Sequence, residues 1–280
     1  MKRSFLAATL FLSFAVQAQY YYKDIIGTKE TADMIKAYKA SKVNRVLLSS
    51  FDETNTRTDD FYVEQQFSLS EGILKTITRS GVTNESVLTS FFDALGNVIR
   101  TVDSSELIKN ITDYAYNAIG QLTSITSTST DTRLNASQTE QHLWQYKDGR
   151  ISSMLRIKNK VDTTYVSFVL DEAGNVIEEN AVRRGVRSEP VQYYYDANNR
   201  LTDVVRFNQL AGRLLPEYMF EYSPSNQVIQ KITVPANNSK YMIWRYQYNN
   251  QGLKTKEAVY NKDDKRKQLG RVEYQYSFSS

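Results

Sequence analysis

Residues 193–202 read Tyr-Tyr-Tyr-Asp-Ala-Asn-Asn-Arg-Leu-Thr, and this pattern is the most informative in the chain. The aromatic Tyr195 is followed by Asp196, two variable residues, Asn199, a polar residue and the aliphatic Leu201. Asp at the start of a turn accepts hydrogen bonds from the backbone, and Asn tolerates the positive φ that closes the turn. The flanks alternate with a period of two, which is typical of strands. The segment therefore predicts a β-hairpin.

The same pattern recurs along the chain. It reads Phe-Asp-Ala-Leu-Gly-Asn-Val at 92–98, Tyr-Asn-Ala-Ile-Gly-Gln-Leu at 116–122 and Leu-Asp-Glu-Ala-Gly-Asn-Val at 170–176. The turn-forming positions are Gly72, Gly96, Gly120, Gly149, Gly174, Asn199, Asn226 and Gly252. Their separations are 24, 24, 29, 25, 25, 27 and 26 residues. Eight units at so regular a spacing predict an array of successive hairpins.

Alternation also predicts which side chains share a face of the sheet. Residues two or four positions before an aromatic anchor point to the anchor's face. After a turn, the same rule groups Leu201 with Val205 and Phe207. It places Arg206 and Lys231 on the opposite, solvated face.

Residues 193–202 and 114–123 resemble the tyrosine–aspartate repeats of the RHS family. The resemblance covers roughly residues 61–280. RHS repeats build a continuous antiparallel sheet that spirals into a hollow shell, which in large members encloses a toxic C-terminal enzyme. Eight units are too few for a full cage, and we identify no terminal enzymatic domain or proteolytic core motif. The resemblance thus implies a repeat architecture in an exported bacterial protein, and it does not imply toxicity.

The first residues predict export. Lys2 and Arg3 precede an almost wholly apolar run over 5–16, and small residues follow. This is typical of a signal peptide, here residues 1–18, and the run of about a dozen apolar residues is short of the roughly 20 that span a bilayer. The mature protein is expected to begin at Gln19, in the periplasm, outside the cell or at its surface.

Residues 19–60 differ from the repeat domain, 61–280. They contain Thr28 as a candidate N-cap, with Ile35 and Tyr38 at helical spacing. We expect a cap segment with a short helix that covers the first strand edge, followed by a first strand. The complete fold-class prediction is all-β: about sixteen strands in antiparallel hairpins form one twisted, curling, partly open shell-like sheet behind this helix.

Composition excludes several kinds of chemistry. The chain has 35 Lys+Arg against 31 Asp+Glu, a formal charge of +4, which gives no electrostatic case for nucleic-acid binding. It has no Cys and 1 His, so disulfides, thiol catalysis, cysteine-based zinc sites and three-histidine metal sites are excluded. We expect no cofactor, no metal and no enzymatic activity.

The histidine and the acidic residues are expected to have structural roles or to be solvated, and not to take part in catalysis or metal binding. His142 lies at an inward strand position, and no motif supplies it with a nucleophile or an orienting carboxylate, so we expect a packed histidine. Glu178 and Glu179 are strand neighbours that face opposite sides, so we expect two solvated charges and no glycosidase pair. The repeated turn aspartates are expected to form turns and not calcium sites.

The aromatic face has two interpretations. It is either the core of a curved sheet or a surface on which sugar rings stack. As a ligand-contact face it consists of Trp144, Tyr146, Tyr193, Tyr195, Tyr218, Trp244 and Tyr246. A basic cluster is predicted at an exposed hairpin tip, where an anionic glycan or lipid headgroup is the alternative to simple solvation; it comprises Lys262, Lys265, Arg266 and Lys267.

Three functions follow from these observations. The first is an exported, non-enzymatic structural or interaction module in the periplasm or at the cell surface, with a surface glycan or another envelope protein as candidate partner. The second is a carbohydrate-binding module that uses the aromatic face. The third is a shell fragment of an RHS-type toxin system.

Overall fold

A computed structural model describes residues 19–81, 85–105, 107–134, 136–234, 241–261 and 267–279. The predicted signal peptide lies outside these residues, as do Lys262, Lys265 and Arg266. A π-helical segment, Tyr21–Ile26, continues into α1, Gly27–Ala40; we call residues 21–40 the N-terminal helix. The strands of the described chain are β1 Val43–Asp52, β2 Phe61–Ser68, β3 Ile73–Ser80, β4 Ser86–Phe92, β5 Val98–Ser104, β6 Ile108–Tyr116, β7 Leu122–Asp131, β8 Ala136–Lys147, β9 Arg150–Lys158, β10 Asp162–Leu170, β11 Val176–Arg183, β12 Val186–Arg187, β13 Val191–Tyr195, β14 Leu201–Asn208, β15 Arg213–Tyr222, β16 Val228–Thr233, β17 Met242–Tyr248, β18 Lys254–Asn261 and β19 Gln268–Phe278.

The sheet closes on itself. Every strand pairs antiparallel with its neighbours, and β1 pairs with both β2 and β19, so that Val46 lies opposite Gln65 on one side and Tyr276 on the other. The short β12 and β13 both pair with β11 and act as one interrupted strand. Pro190, which has no N–H for the ladder, lies in the interruption. The described strands thus form a closed antiparallel barrel of eighteen strands.

The prediction of a partly open, curling sheet is therefore wrong. Each repeat specifies the pairing within its own hairpin, whereas closure depends on the pairing of the first strand with the last. That contact is far apart in sequence and leaves no local signature. Closure removes the free strand edges that an open sheet would expose.

The repeat turns lie together at one rim of the barrel, which we call the turn rim. All eight turn-forming positions have positive φ, between 58° and 89°. In the unit at Asp196, the carboxylate Oδ1 accepts the Arg200 N–H at 3.0 Å, and the Asn199 N–H donates to the Asp196 carbonyl at 3.0 Å. The other hairpin loops form the opposite rim, which we call the loop rim.

A β-bulge follows seven of the eight turns. Tyr195 lies opposite Leu201, whereas Tyr194 lies opposite Asp203, so the outgoing strand contains one extra residue. The extra residue moves Val204, and not Val205, to the inner face with Leu201. The other bulges lie in the units whose anchors are Phe92, Tyr116, Tyr146, Leu170, Tyr222 and Tyr248.

These bulges also reverse the assignment of two charged residues. Arg206 and Lys231, predicted on a solvated outer face, point into the barrel. Arg206 forms an ion pair with Glu217, which bonds Gln19 in the interior, and Lys231 contacts Tyr22 of the N-terminal helix. Simple alternation failed here because it does not anticipate the extra residue.

Tyrosine hydroxyls connect successive units along the turn rim. In each case the hydroxyl donates to the backbone carbonyl of the first residue of an earlier outgoing strand, beside the turn. The bonds run from Tyr116 to Val98 (3.0 Å), Tyr146 to Leu122 (2.8 Å), Tyr195 to Val176 (2.9 Å), Tyr222 to Leu201 (2.7 Å), Tyr248 to Val228 (3.0 Å) and Tyr276 to Lys254 (2.7 Å). A phenylalanine has no hydroxyl for this bond, which explains why tyrosine dominates the anchor position.

The N-terminal helix lies across the barrel interior. Its first residues pack on one wall, where Tyr21 lies 5.2 Å from the Tyr193 ring. Its last turns pack on the opposite wall, where Ile35 is fully buried and Tyr38 lies 6.2 Å from Phe67. Both edges of β1 are already paired, so the helix does not cap a strand edge as predicted. Thr28 lies inside the helix, where its hydroxyl bonds the Asp24 carbonyl at 2.6 Å, and it is not the N-cap.

The turns allow a direct test of the hairpin register. We expect Gly120→Val to lower the free energy of unfolding by about 1–3 kcal/mol, because φ is +80° and a β-branched residue is strained there although the added Cβ has open space. Gly72→Ala should cost more, since its Cβ would lie 2.7 Å from the Phe92 carbonyl oxygen. Asn199→Gly should be neutral or mildly stabilising. Chemical unfolding measures all three, and an unchanged midpoint for Gly120→Val would contradict the register.

Candidate functional site

A buried group of charged and polar side chains surrounds the start of the N-terminal helix. Inward positions of β8, β9 and β11 supply four of its members, and the first residues of the described chain supply the other two. We call this group the interior polar cluster; it comprises Gln19, Asp24, Glu140, His142, Arg156 and Glu179. Hydrogen bonds connect His142 to Asp24 and Glu140, and Glu140 to Arg156.

His142 is held between two carboxylates. Its Nδ1 lies 2.6 Å from Asp24 Oδ2, and its Nε2 lies 3.1 Å from Glu140 Oε1. Asp24 Oδ2 also accepts the Trp144 indole N–H at 3.2 Å. Arg156 completes the chain through two hydrogen bonds to Glu140, at 3.0 and 2.6 Å. Because both ring nitrogens face carboxylate oxygens, the geometry suits a doubly protonated, charged imidazole.

The electrostatics agree with that geometry. Burial alone would lower the pKa of His142, but the charge and hydrogen bond of Asp24, joined by those of Glu140, raise it to about 9. Burial would raise the pKa of Glu140, but hydrogen bonds from His142 and Arg156 lower it to about 2. At neutral pH the Glu140 carboxylate therefore lies between two cations, His142 and Arg156.

Glu179 binds the first backbone N–H groups at the start of the N-terminal helix. It is 1% exposed, and its carboxylate accepts the backbone N–H groups of Tyr20 at 3.1 Å and Tyr21 at 2.9 Å. It also accepts the Tyr193 hydroxyl at 2.8 Å. The first N–H groups of a helix lack partners within the helix, and a carboxylate there also complements the helix dipole. The expectation that Glu179 is solvated is wrong, because its N–H donors come from a segment that docks from elsewhere in the chain.

A second cation lies in an aromatic cage inside the barrel. Lys231 Nζ lies 4.7 Å from the Tyr218 ring and 5.7 Å from the rings of both Tyr22 and Phe220. It donates to the Tyr22 hydroxyl at 3.1 Å. Burial lowers the pKa of Lys231. The cage is occupied by the protein's own ammonium group and attaches the helix to the wall.

The seven residues of the predicted ligand-contact face all lie on the inner wall. Trp144 is 4% exposed and stacks on Phe168 at 5.3 Å, and Tyr193 is buried beneath the helix. The others are half-buried: Tyr146 and Tyr195 bond backbone carbonyls, Tyr218 and Tyr246 contact lysine ammonium groups, and Trp244 lies opposite Lys231 and Val259. The structure thus gives six of these rings a hydrogen-bond, stacking or cation contact within the protein, Trp244 being the exception among the described contacts, and His142 is packed as expected.

Sequence reasoning missed the partners of His142. The alternation along β8 predicts that His142 and Trp144 point inward, and both are buried. Asp24, however, is 118 residues from His142, and only the inserted helix brings the two together. Within the described residues, no group of three or more side chains has the arrangement of a metal site. The cluster therefore positions the start of the N-terminal helix.

Comparison with known proteins gives distant structural likenesses only. No family model matches the chain, and no curated protein matches it. A porin-like protein from Bacteroides uniformis matches with a TM-score of 0.40 and 10% identity over 85% of this chain and 97% of that one. The Tc holotoxin pore of Photorhabdus luminescens matches with a TM-score of 0.34 and 14% identity over 78% of this chain and 12% of that one. At these scores the likenesses decide neither the fold nor the function.

Proposed function

We propose that this protein is an exported, non-enzymatic interaction module that docks on an anionic membrane surface through its loop rim. The observation that carries the proposal is a row of exposed aliphatic side chains at five consecutive loops of this rim: Leu107, Leu134, Val161, Val186 and Leu210. Leu107 is 40% exposed and the other four are 71–82% exposed. Aliphatic groups repeated at neighbouring loop tips are suited to insertion at a bilayer interface.

Basic residues accompany these aliphatic tips. One lies within three positions of each tip: Lys109, Arg133, Lys160, Arg187 and Arg213. All five are exposed. Each Lys or Arg near an anionic bilayer contributes about 1 kcal/mol to binding, and each buried CH₂ group about 0.8 kcal/mol. The combination favours a membrane over a glycan, because sugars stack on aromatic rings and the five tip residues are aliphatic.

The shape of at least one tip is fixed before binding. Asp131 Oδ1 accepts the backbone N–H groups of Arg133 at 2.9 Å and Leu134 at 3.0 Å. These bonds set the loop conformation that presents the Leu134 side chain to solvent. A pre-formed tip binds with a smaller loss of conformational entropy.

Charged residues on the outer face of the barrel favour docking through the loop rim over burial of this face in lipid. Ion pairs join neighbouring strands on this wall, Arg45 with Glu64 at 2.8 Å and Arg100 with Asp113 at 2.5 Å. A Lys or Arg that faces lipid costs about 2–4 kcal/mol at the bilayer midplane. Among the described helices, none has the length and apolar character needed to cross a membrane. Export itself rests on the predicted signal peptide.

Vesicle co-sedimentation tests the function. We expect the mature protein to bind vesicles that contain phosphatidylglycerol and to bind pure phosphatidylcholine vesicles at least tenfold more weakly. The triple variant Leu134→Ser, Val161→Ser and Leu210→Ser should lose at least tenfold in affinity for the anionic vesicles. Higher salt should weaken wild-type binding, because the basic residues contribute through screened charge.

The opposite rim provides a matched control. Leu95 and Ile119, at the turn rim, are 69% and 74% exposed, so Leu95→Ser with Ile119→Ser removes similar apolar surface from the other end of the barrel. This control should bind anionic vesicles as wild type does. Equal loss in both variants, absence of wild-type vesicle binding, or binding to polysaccharide in place of vesicles would each reject membrane docking by the loop rim.

A further inference from the structure

Glu179 is a buried carboxylate whose partners are all uncharged. The groups that donate to it are the N–H of Tyr20, the N–H of Tyr21 and the hydroxyl of Tyr193. Burying a carboxylate away from water is costly unless it is paired and hydrogen-bonded. Three hydrogen bonds satisfy its oxygens, but none of these partners carries a positive charge, and burial raises the pKa of the Glu179 carboxyl.

Three neighbouring acids of the barrel interior have cationic partners. Asp24 pairs with His142, Glu140 pairs with Arg156, and Glu217 pairs with Arg206. Glu179, in contrast, accepts hydrogen bonds only from the uncharged groups of Tyr20, Tyr21 and Tyr193 among the described residues. Among these groups, the site around Glu179 therefore lacks a positive charge that would balance its carboxylate.

Gln19 lies where that charge is needed. It is 1% exposed, and its carbonyl accepts the Lys23 N–H at 3.0 Å, so it adjoins the first turn of the N-terminal helix. Because consecutive residues are about 3.8 Å apart, the backbone nitrogen of Gln19 lies close to that of Tyr20, which is 3.1 Å from Glu179 Oε1. The side-chain Oε1 of Gln19 is buried and has no hydrogen-bond partner among the described groups. The Gln19 nitrogen is therefore one residue away from an N–H that already bonds the buried Glu179 carboxylate.

We propose that cleavage between Ala18 and Gln19 creates an α-ammonium group that pairs with Glu179 and locks the N-terminal helix inside the barrel. A signal peptidase adds water across the peptide bond, which leaves a carboxylate on Ala18 and an amine on Gln19. The amine takes up a proton near neutral pH. The uncleaved chain has an uncharged amide at this position. Processing therefore supplies the charge that the site lacks.

This inference rests on the predicted cleavage site and is independent of membrane docking. The ammonium group has three N–H donors, enough for the Glu179 carboxylate and the Gln19 amide oxygen together. A charge-assisted hydrogen bond is about twice as strong as a neutral one. The new N-terminus would thus bind the barrel wall directly through Glu179 of β11.

Moving the ammonium group tests the proposal. Insertion of Gly-Ser between Ala18 and Gln19 keeps the chain exported and places its amine two residues earlier. We expect this insertion to lower the melting temperature by about 5 °C in otherwise wild-type protein. In a Glu179→Gln background the insertion should lower it by less than half as much, because no carboxylate remains to lose its partner.

Glu178→Gln is the matched control, because this neighbouring carboxylate faces outward and should keep the full effect of the insertion. Equal effects of the insertion in wild type and Glu179→Gln would overturn the ion pair. A second measurement uses wild type alone: cyanate labelling against pH should give the α-amine a pKa above the usual 7.7–8.0. A labelling pKa within that range, a mature chain that begins elsewhere, or loss of ammonia by cyclisation of Gln19 in the folded protein would each overturn the proposal.

Discussion

Trp144→Ala is expected to lower the free energy of unfolding by about 3–5 kcal/mol, the usual cost of truncating a large, fully buried aromatic residue. The indole is 4% exposed, stacks on Phe168 at 5.3 Å and donates to Asp24 at 3.2 Å. Its removal leaves a cavity beneath the helix and deprives Asp24 of a donor. Urea unfolding followed by circular dichroism measures the change.

Trp244→Ala is the comparison, because Trp244 is half-buried and has no ring partner among the described contacts. Its loss should cost clearly less than that of Trp144. If the two substitutions cost the same small amount, and an oligosaccharide quenches tryptophan fluorescence in wild type, the aromatic wall is a binding surface and the packing described above is wrong.

Asp24→Ala should also lower stability by about 3–5 kcal/mol, the cost of breaking a buried pair by removing one partner. The substitution leaves the His142 cation facing only Glu140. On the same helix, Asp33→Ala provides the control, because Asp33 is exposed and its pair with Lys36 at 3.4 Å is a surface ion pair worth at most about 1 kcal/mol. A fall as small as that of the control would show that Asp24 does not hold the helix.

The pH dependence follows from the same contact. The pKa of His142 is raised to about 9 in the folded protein. A raised pKa stabilises the folded state fully below the unfolded value of about 6.5, and the stabilisation is lost as pH rises through about 9. It amounts to about 3 kcal/mol over that window. Wild-type stability should fall between these two pH values, and Asp24→Ala should fall much less; parallel curves for the two proteins would contradict the assignment.

The repeat turns show how much of this fold can be predicted from the sequence. Asp196 and Asn199 encode a turn through contacts made within five residues, and the structure has that turn. The bulge beside Leu201 has no residue of its own in the pattern, so the inward faces of Arg206 and Lys231 could not be read from alternation. Local chemistry predicts turns, whereas register after a turn depends on how neighbouring strands fit together.

The interior polar cluster shows a second reason why the sequence predicts only part of this structure. Glu179 and Asp24 look like ordinary surface acids because their partners come from distant parts of the chain. The helix spacing of Ile35 and Tyr38 was visible, but nothing near those residues indicates that the helix enters a barrel. A position that looks solvated in a strand can be buried by a segment from outside the sheet.

The closure of the sheet has a consequence for how the chain is made. One edge of β1, including Val46, stays unpaired until β19, which contains Tyr276, is present. In an exported chain β1 crosses the membrane before β19, so this delay lasts until the last strand has been translocated. During that time β1 presents an open template to other chains. A newly made chain is therefore most prone to aggregate while it is incomplete, and a holding chaperone that covers its first strand would protect it until its last strand emerges.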